Sequence, residues 1–127
     1  MTSARFERIA RLLFWAAMVG ACVLALMPQP PHLPTDRFGD KVNHILGFAT
    51  LAALAALGWP RAERLRVVER LSFLGALIEV AQSVPLLHRD CDIRDWVADT
   101  AAIVVVTGIA AVLARWRRGG AAVAPAE

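Results

Sequence analysis

Four apolar runs, at residues 12–27, 42–59, 71–87 and 96–116, fill most of the 127-residue chain, and short stretches rich in Arg, Pro or Asp separate them. Runs of about 17–25 apolar residues match the hydrocarbon thickness of a bilayer, where helices satisfy every backbone group internally. The first run has only 16 uncharged residues, but Ile9 and Ala10 lengthen it if Arg11 snorkels to the headgroups. Its Arg-rich start resembles a signal peptide. The segment from Leu24 to Pro28 makes a poor small-residue cleavage site, so an uncleaved anchor is expected. Pro28, Pro30, Pro31 and Pro34 then predict a stiff extended linker. With 57% hydrophobic residues and a mean hydropathy of +0.51, the chain has too little polar material to cover a water-soluble domain. No soluble catalytic domain fits between the runs, so any chemistry belongs to the helices or their loops. The expected fold is all-α, a four-span transmembrane helical bundle. It comprises an N-terminal segment 1–8, a membrane domain 9–118 with spans near 9–27, 42–59, 71–87 and 96–116, and a disordered tail 119–127.

Loop charge orients the bundle. Arg5, Arg8 and Arg11, then Arg61, Arg64, Arg66 and Arg70, then Arg115, Arg117 and Arg118 place ten of the 14 basic residues on one side. The opposite loops carry Arg37, Lys41, Arg89 and Arg94 against Asp36, Asp40, Asp90, Asp92 and Asp95. The positive-inside rule therefore predicts both termini in the cytoplasm of a multi-pass membrane protein. The sequence pI of about 9.7 follows from these flanking arginines; with no basic stripe interleaved with aromatics, nucleic acid is not an expected partner and membrane lipid is. Cys22 and Cys91 show no CxxC or CxxH spacing, so neither a disulfide framework nor a zinc knuckle is indicated.

Polar groups gather toward the outer ends of the last three runs. Glu79 lies inside the third run and Asp99 inside the fourth, where an ionisable group costs at least about 2.5–3.5 kcal/mol unless paired or solvated. Asp40, Lys41 and His44 start the second helix, Gln82 shares a face with Glu79, and Asp92, Asp95 and Asp99 recur at helical spacing. If the third helix ran to Leu87, Glu79 would sit about 12 Å and Gln82 about 7 Å below its outer end. Burying these groups against one another predicts one outward-opening polar cavity. Other roles remain open: Asp92 as the N-cap of the fourth helix, Asp95 as a first-turn acid, His44 as an interhelical hydrogen-bonding residue, and Lys41 and Arg89 as headgroup anchors.

Three strings carry a family likeness. Asp40, Lys41, His44 and Phe48 are followed by Glu79 and Gln82, then by Arg89, Asp92, Asp95 and Asp99. This order and spacing resembles the VanZ-like family of bacterial membrane proteins, over residues 40 to about 106. Two positions depart from the family pattern: Asp99 stands where Asn is usual, and Ala102 where Gly is usual. The resemblance implies action at the outer face on cell-envelope chemistry, and the family's name is tied to low-level teicoplanin resistance. It implies His44, Glu79, Asp95 and Asp99 as candidate catalytic residues, with Asp40, Lys41, Gln82, Arg89 and Asp92 as candidate ligand contacts.

Three functions follow. One is recognition or turnover of a polar envelope substrate, a lipid-linked or peptidoglycan-derived headgroup, with Arg89 and Lys41 holding an anion and His44 or Glu79 moving a proton. The second is a non-catalytic partner subunit or small proton or solute conductor built on a Glu79, Asp99 and His44 network. The third is a metal site of Glu79, His44, Asp95 and Asp99, which no paired-His spacing supports. The sequence names no cofactor.

Overall fold

The computed structural model describes residues 3–87 and 91–121, apart from the side chains of Asp40, Gly120 and Ala121. Four α-helices, α1 (Ser3–Leu26), α2 (Asp40–Gly58), α3 (Arg64–Gln82) and α4 (Ile93–Ala121), run up and down in sequence, and no strand occurs among the described residues. Local chemistry sets the boundaries. Met27 precedes Pro28, which disfavours helical backbone at Met27, and α1 stops at Leu26. Before α2, Gly39 takes φ 94°, a conformation that glycine adopts without penalty, and its N–H donates to the Asp36 carbonyl at 2.9 Å. Pro60 follows Trp59, and α2 ends at Gly58.

The third helix differs from the expected span 71–87. It begins seven residues earlier, at Arg64, and ends at Gln82; Pro85–Leu87 forms a separate 3-10 turn. Proline at 85 lacks an N–H and disfavours helix at Val84, whereas the Arg-rich start is helix-compatible once it leaves the apolar region. Glu79 and Gln82 consequently sit at the helix end rather than well below it: Glu79 is about 4.5 Å from the last helical residue. At the chain's ends, α1 already starts inside the expected N-terminal segment and α4 reaches Ala121, while the remainder of the expected disordered tail lies outside the described residues.

Helix α2 packs along α1 and α4, and α3 packs chiefly on α4. The core joins Phe14 of α1, Phe48, Leu51, Ala52 and Ala55 of α2, Leu71 and Ile78 of α3, and Ile103 of α4. Gly75 permits the tightest approach of α3, since a Cβ there would already lie 3.4 Å from both the Phe48 ring and the Trp96 indole. The surface is inverted relative to a water-soluble protein. Leu12, Val19, Phe73, Leu77, Val104 and Ile109 are exposed, while Glu79, Gln82, Asp99 and Thr107 are buried. Three helices, Ser3–Leu26, Lys41–Gly58 and Ile93–Gly119, are long and apolar enough to cross a membrane.

The two ends of the bundle differ. At the Arg-rich end, Arg11 Nε donates to the Gly58 carbonyl at 2.6 Å and its guanidinium lies 5.7 Å from the centre of the Trp59 ring. Phe14 meets Trp59 edge-on at 5.1 Å. This arrangement supplies a cation and a donor to the unsatisfied carbonyl end of α2 and locks α1 beside it. The other end collects the polar residues.

Candidate functional site

Four helix ends meet at the site: the C-termini of α1 and α3 and the N-termini of α2 and α4. His44, one turn into α2, places Nδ1 3.3 Å from Oδ2 of Asp99, two turns into α4; their side chains are 8% and 1% exposed. One turn nearer the surface, Lys41 Nζ lies 2.7 Å from Asp95 Oδ1 and 3.8 Å from Asp92 Oδ2. Glu79 Oε2 accepts the backbone N–H of Asp92 at 3.0 Å, which ties the end of α3 to the start of α4. The structure therefore brings together Lys41, His44, Glu79, Asp92, Asp95 and Asp99.

Several of these groups do structural work as well. Asp92 Oδ1 accepts the Arg94 N–H at 2.9 Å, which makes Asp92 the N-cap of α4. Gln82 turns away from the cluster, and its Nε2 donates to the Ala25 carbonyl at 2.8 Å, satisfying one of the orphan acceptors at the end of α1. Lys41 is engaged by two aspartates, so an anion would have to compete with them for its ammonium. Asp40 begins α2, and Arg89 lies outside the described residues.

Four carboxylates, Glu79, Asp92, Asp95 and Asp99, stand close to one lysine and one histidine. Asp99 Oδ1 is buried without a hydrogen-bonding partner among the described residues. Cys91 lies against Glu79 just outside the helices. Burial first, and then the hydrogen bond to Glu79 and its negative charge, hold the Cys91 thiol above its ordinary range. No group of three His, Cys, Asp or Glu side chains among the described residues is arranged to hold a metal ion.

Among the described residues these polar groups pack on one another, in the pairs Lys41–Asp95 and His44–Asp99. The cavity beside them has a volume of about 430 Å³ and lies between α1, the Pro-rich linker, α2 and α3. Of the residues assigned to the site, His44 alone among the described residues reaches it; most of its wall is apolar, with Leu24, Phe48, Leu51, Leu74 and Ile78.

Three residues that sequence reasoning passed over form the linker's anchor. Asp36 Oδ2 accepts the Leu33 N–H at 2.7 Å, its Oδ1 accepts from Asn43 Nδ2 at 2.8 Å, and Thr35 Oγ1 donates to Asn43 Oδ1. The Leu33 N–H, followed by the Asn43 amide, holds the Asp36 carboxyl below its ordinary range. Asn43 lies between Lys41 and His44 and was the available signal. Deeper in the bundle, the Trp96 indole donates to the Ser72 carbonyl at 3.0 Å, and the Ser72 and Thr100 hydroxyls meet at 2.8 Å, so Trp96 joins α3 to α4 as well as standing near the bundle's end.

No protein-family model, curated protein or solved structure matches this chain.

Proposed function

We propose that the chain is a four-span bacterial plasma membrane protein of the VanZ-like type, with both termini cytoplasmic and a proton-exchanging polar site at its outer end. The buried His44/Asp99 pair carries this reading. A carboxylate on Nδ1 fixes the imidazole's orientation and makes Nε2 its basic nitrogen, a standard way to set up a histidine for proton exchange. Such a pair has no value as a solubilising or capping device at this position. Lys41, Asp92 and Asp95 complete a charged rim around it, and Glu79, tied to the Asp92 N–H, adds a buried carboxylate beside it that exchanges protons.

Helix α3 serves as the fourth span in this reading. Its 19 residues extend about 28 Å, of which the stretch after Arg70 covers about 18 Å, so Arg64, Arg66 and Arg70 reach the headgroups by snorkelling. Its Phe73, Leu77 and Val80 face outward while Glu79 and Gln82 face in, and Arg64, Arg66 and Arg70 sit at the end that also holds Arg11. The polar end then faces the cell exterior, where envelope ligands are. The ligand is an envelope component whose polar part meets His44 and the Lys41 rim. The motif likeness adds altered antibiotic susceptibility as a phenotype to score.

Glu79→Gln tests the site in cells, with Leu77→Ala as an outward-facing control. The amide can still accept the Asp92 N–H, so the tie between the end of α3 and the start of α4 is kept while the charge is lost. The expected result is loss of the envelope phenotype at normal membrane abundance. Wild-type phenotype and abundance would remove Glu79 from the site's chemistry, and a parallel fall in both would assign it to folding alone.

A further inference from the structure

We infer that the cavity between α1, the Pro-rich linker, α2 and α3 holds the hydrocarbon chain of a membrane lipid, so that the site's ligand is lipid-linked. The inference takes the outward orientation proposed above and narrows the ligand from any polar envelope component to an amphiphile.

The cavity is polar at one end and apolar at the other. Its rim carries Asn43, His44, His32 and Asp36; its depth is walled by Leu24, Gly47 and Leu74, with the buried Phe48, Leu51 and Ile78 behind them. From Asn43 to Leu51 the wall of α2 descends about 12 Å, and one leaflet of hydrocarbon is about 15 Å deep, so the cavity spans the depth of a single leaflet's chains. A void of about 430 Å³ with so apolar a wall offers water few of the two to four partners it requires, and apolar cavities of far smaller size stay dry and take up hydrocarbon. Its volume falls in the range of ordinary ligand sites.

Two further observations fit an occupied space. Gly47 lies one turn from His44 on the same wall, and a Cβ placed there would meet no atom within 4 Å; the helix keeps this stretch of wall clear where its neighbour Phe48 is buried. The linker forming the roof is fastened by Asp36, Asn43 and Thr35, so the cavity is preformed. Helix α1 packs along α2 but touches α3 at few places, which leaves the α1/α3 seam as the side from which a chain enters from the bilayer. A chain seated there brings its headgroup to the rim, beside the His44 imidazole that Asp99 orients.

The test reconstitutes the full chain in vesicles of phosphatidylethanolamine and phosphatidylglycerol. A fraction of the phospholipid carries a diazirine on its acyl chain, and adducts are mapped by mass spectrometry after irradiation. The expected pattern has adducts on cavity residues such as Leu24, Gly47 and Leu74 in addition to lipid-facing residues such as Phe73 and Val104. Gly47→Phe fills the cavity from α2, and Leu24→Trp fills it from α1. Each is expected to lose the cavity adducts and keep the lipid-facing ones. Adducts confined to lipid-facing residues in the wild type overturn the inference, as do cavity adducts undiminished in a folded Gly47→Phe or Leu24→Trp variant. The wild-type pattern decides the matter if neither variant folds. This readout is independent of phenotype: a cavity without lipid chains alongside a Glu79→Gln defect would leave the polar site standing and assign it a soluble headgroup.

Discussion

Replacing Asp99 separates charge from hydrogen bonding at the centre of the site. Its Oδ2 stands 3.3 Å from His44 Nδ1, and both side chains are removed from solvent. In a water-soluble protein a hydrogen bond to a charged group contributes about 1.5–3 kcal/mol and a neutral one about 0.5–1.5. Interhelical side-chain bonds in membrane proteins measure lower, about 0.6 on average and up to about 1.7 kcal/mol, because the unfolded state also finds partners. The second scale applies to a bond joining α2 to α4. A double-mutant cycle with His44→Ala and Asp99→Ala, read by equilibrium unfolding of the micelle-bound protein, is therefore expected to give a coupling of about 0.6–1.7 kcal/mol. Asp99→Asn keeps an acceptor for Nδ1 and should preserve most of the stability that Asp99→Ala removes, while losing the carboxylate's charge. Stability retained in Asp99→Asn and lost in Asp99→Ala is the expected outcome. A coupling within about 0.3 kcal/mol of zero would refute the claim that the two residues form a pair.

Two more predictions concern the frame around the site. A Cβ at Gly58 would lie 3.0 Å from Arg11 Cγ and 3.2 Å from the Arg11 backbone nitrogen, so Gly58→Ala should push α1 from α2 and destabilise the fold by about 1–3 kcal/mol, measurable in the same unfolding assay; unchanged stability would mean that the helices are not in close contact there. Asp36, held below its ordinary value of 3.8, favours the folded linker in its ionised form. That contribution is present above 3.8 and is lost as pH falls through the lowered folded value, so the Leu33 amide resonance should keep its hydrogen-bonded shift down to pH 3.8 and lose it only below; a midpoint above 3.8 would contradict the anchor.

The helices were legible in the sequence because apolar runs and proline breaks act locally, and the burial of Glu79 and Asp99 followed from the cost of exposing carboxylates to lipid. Partners were less legible. Gln82 shares a helix face with Glu79, yet it bonds to the Ala25 carbonyl, because α1 ends beside it in space and nothing in either segment announces that. Lys41 was read as an anion contact, but the register of α2 on α4 sets it against Asp95. The end of α3 was misplaced because apolarity continues to Leu87 while proline chemistry stops the helix at Gln82. The apolar cavity depends on the spacing of three helices and a linker, which no single stretch of sequence encodes.

Whether this polar end faces the cell exterior is read from Cys91, which is exposed and lies against Glu79. With Cys22→Ser removing the other thiol, a membrane-impermeant maleimide is applied to right-side-out and to inside-out membrane vesicles. Alkaline conditions are used because the Cys91 thiol is held above its ordinary value of 9.0. An outward-facing site gives labelling in right-side-out vesicles and protection in inside-out ones; labelling restricted to inside-out vesicles would place the site in the cytoplasm and overturn the proposed orientation.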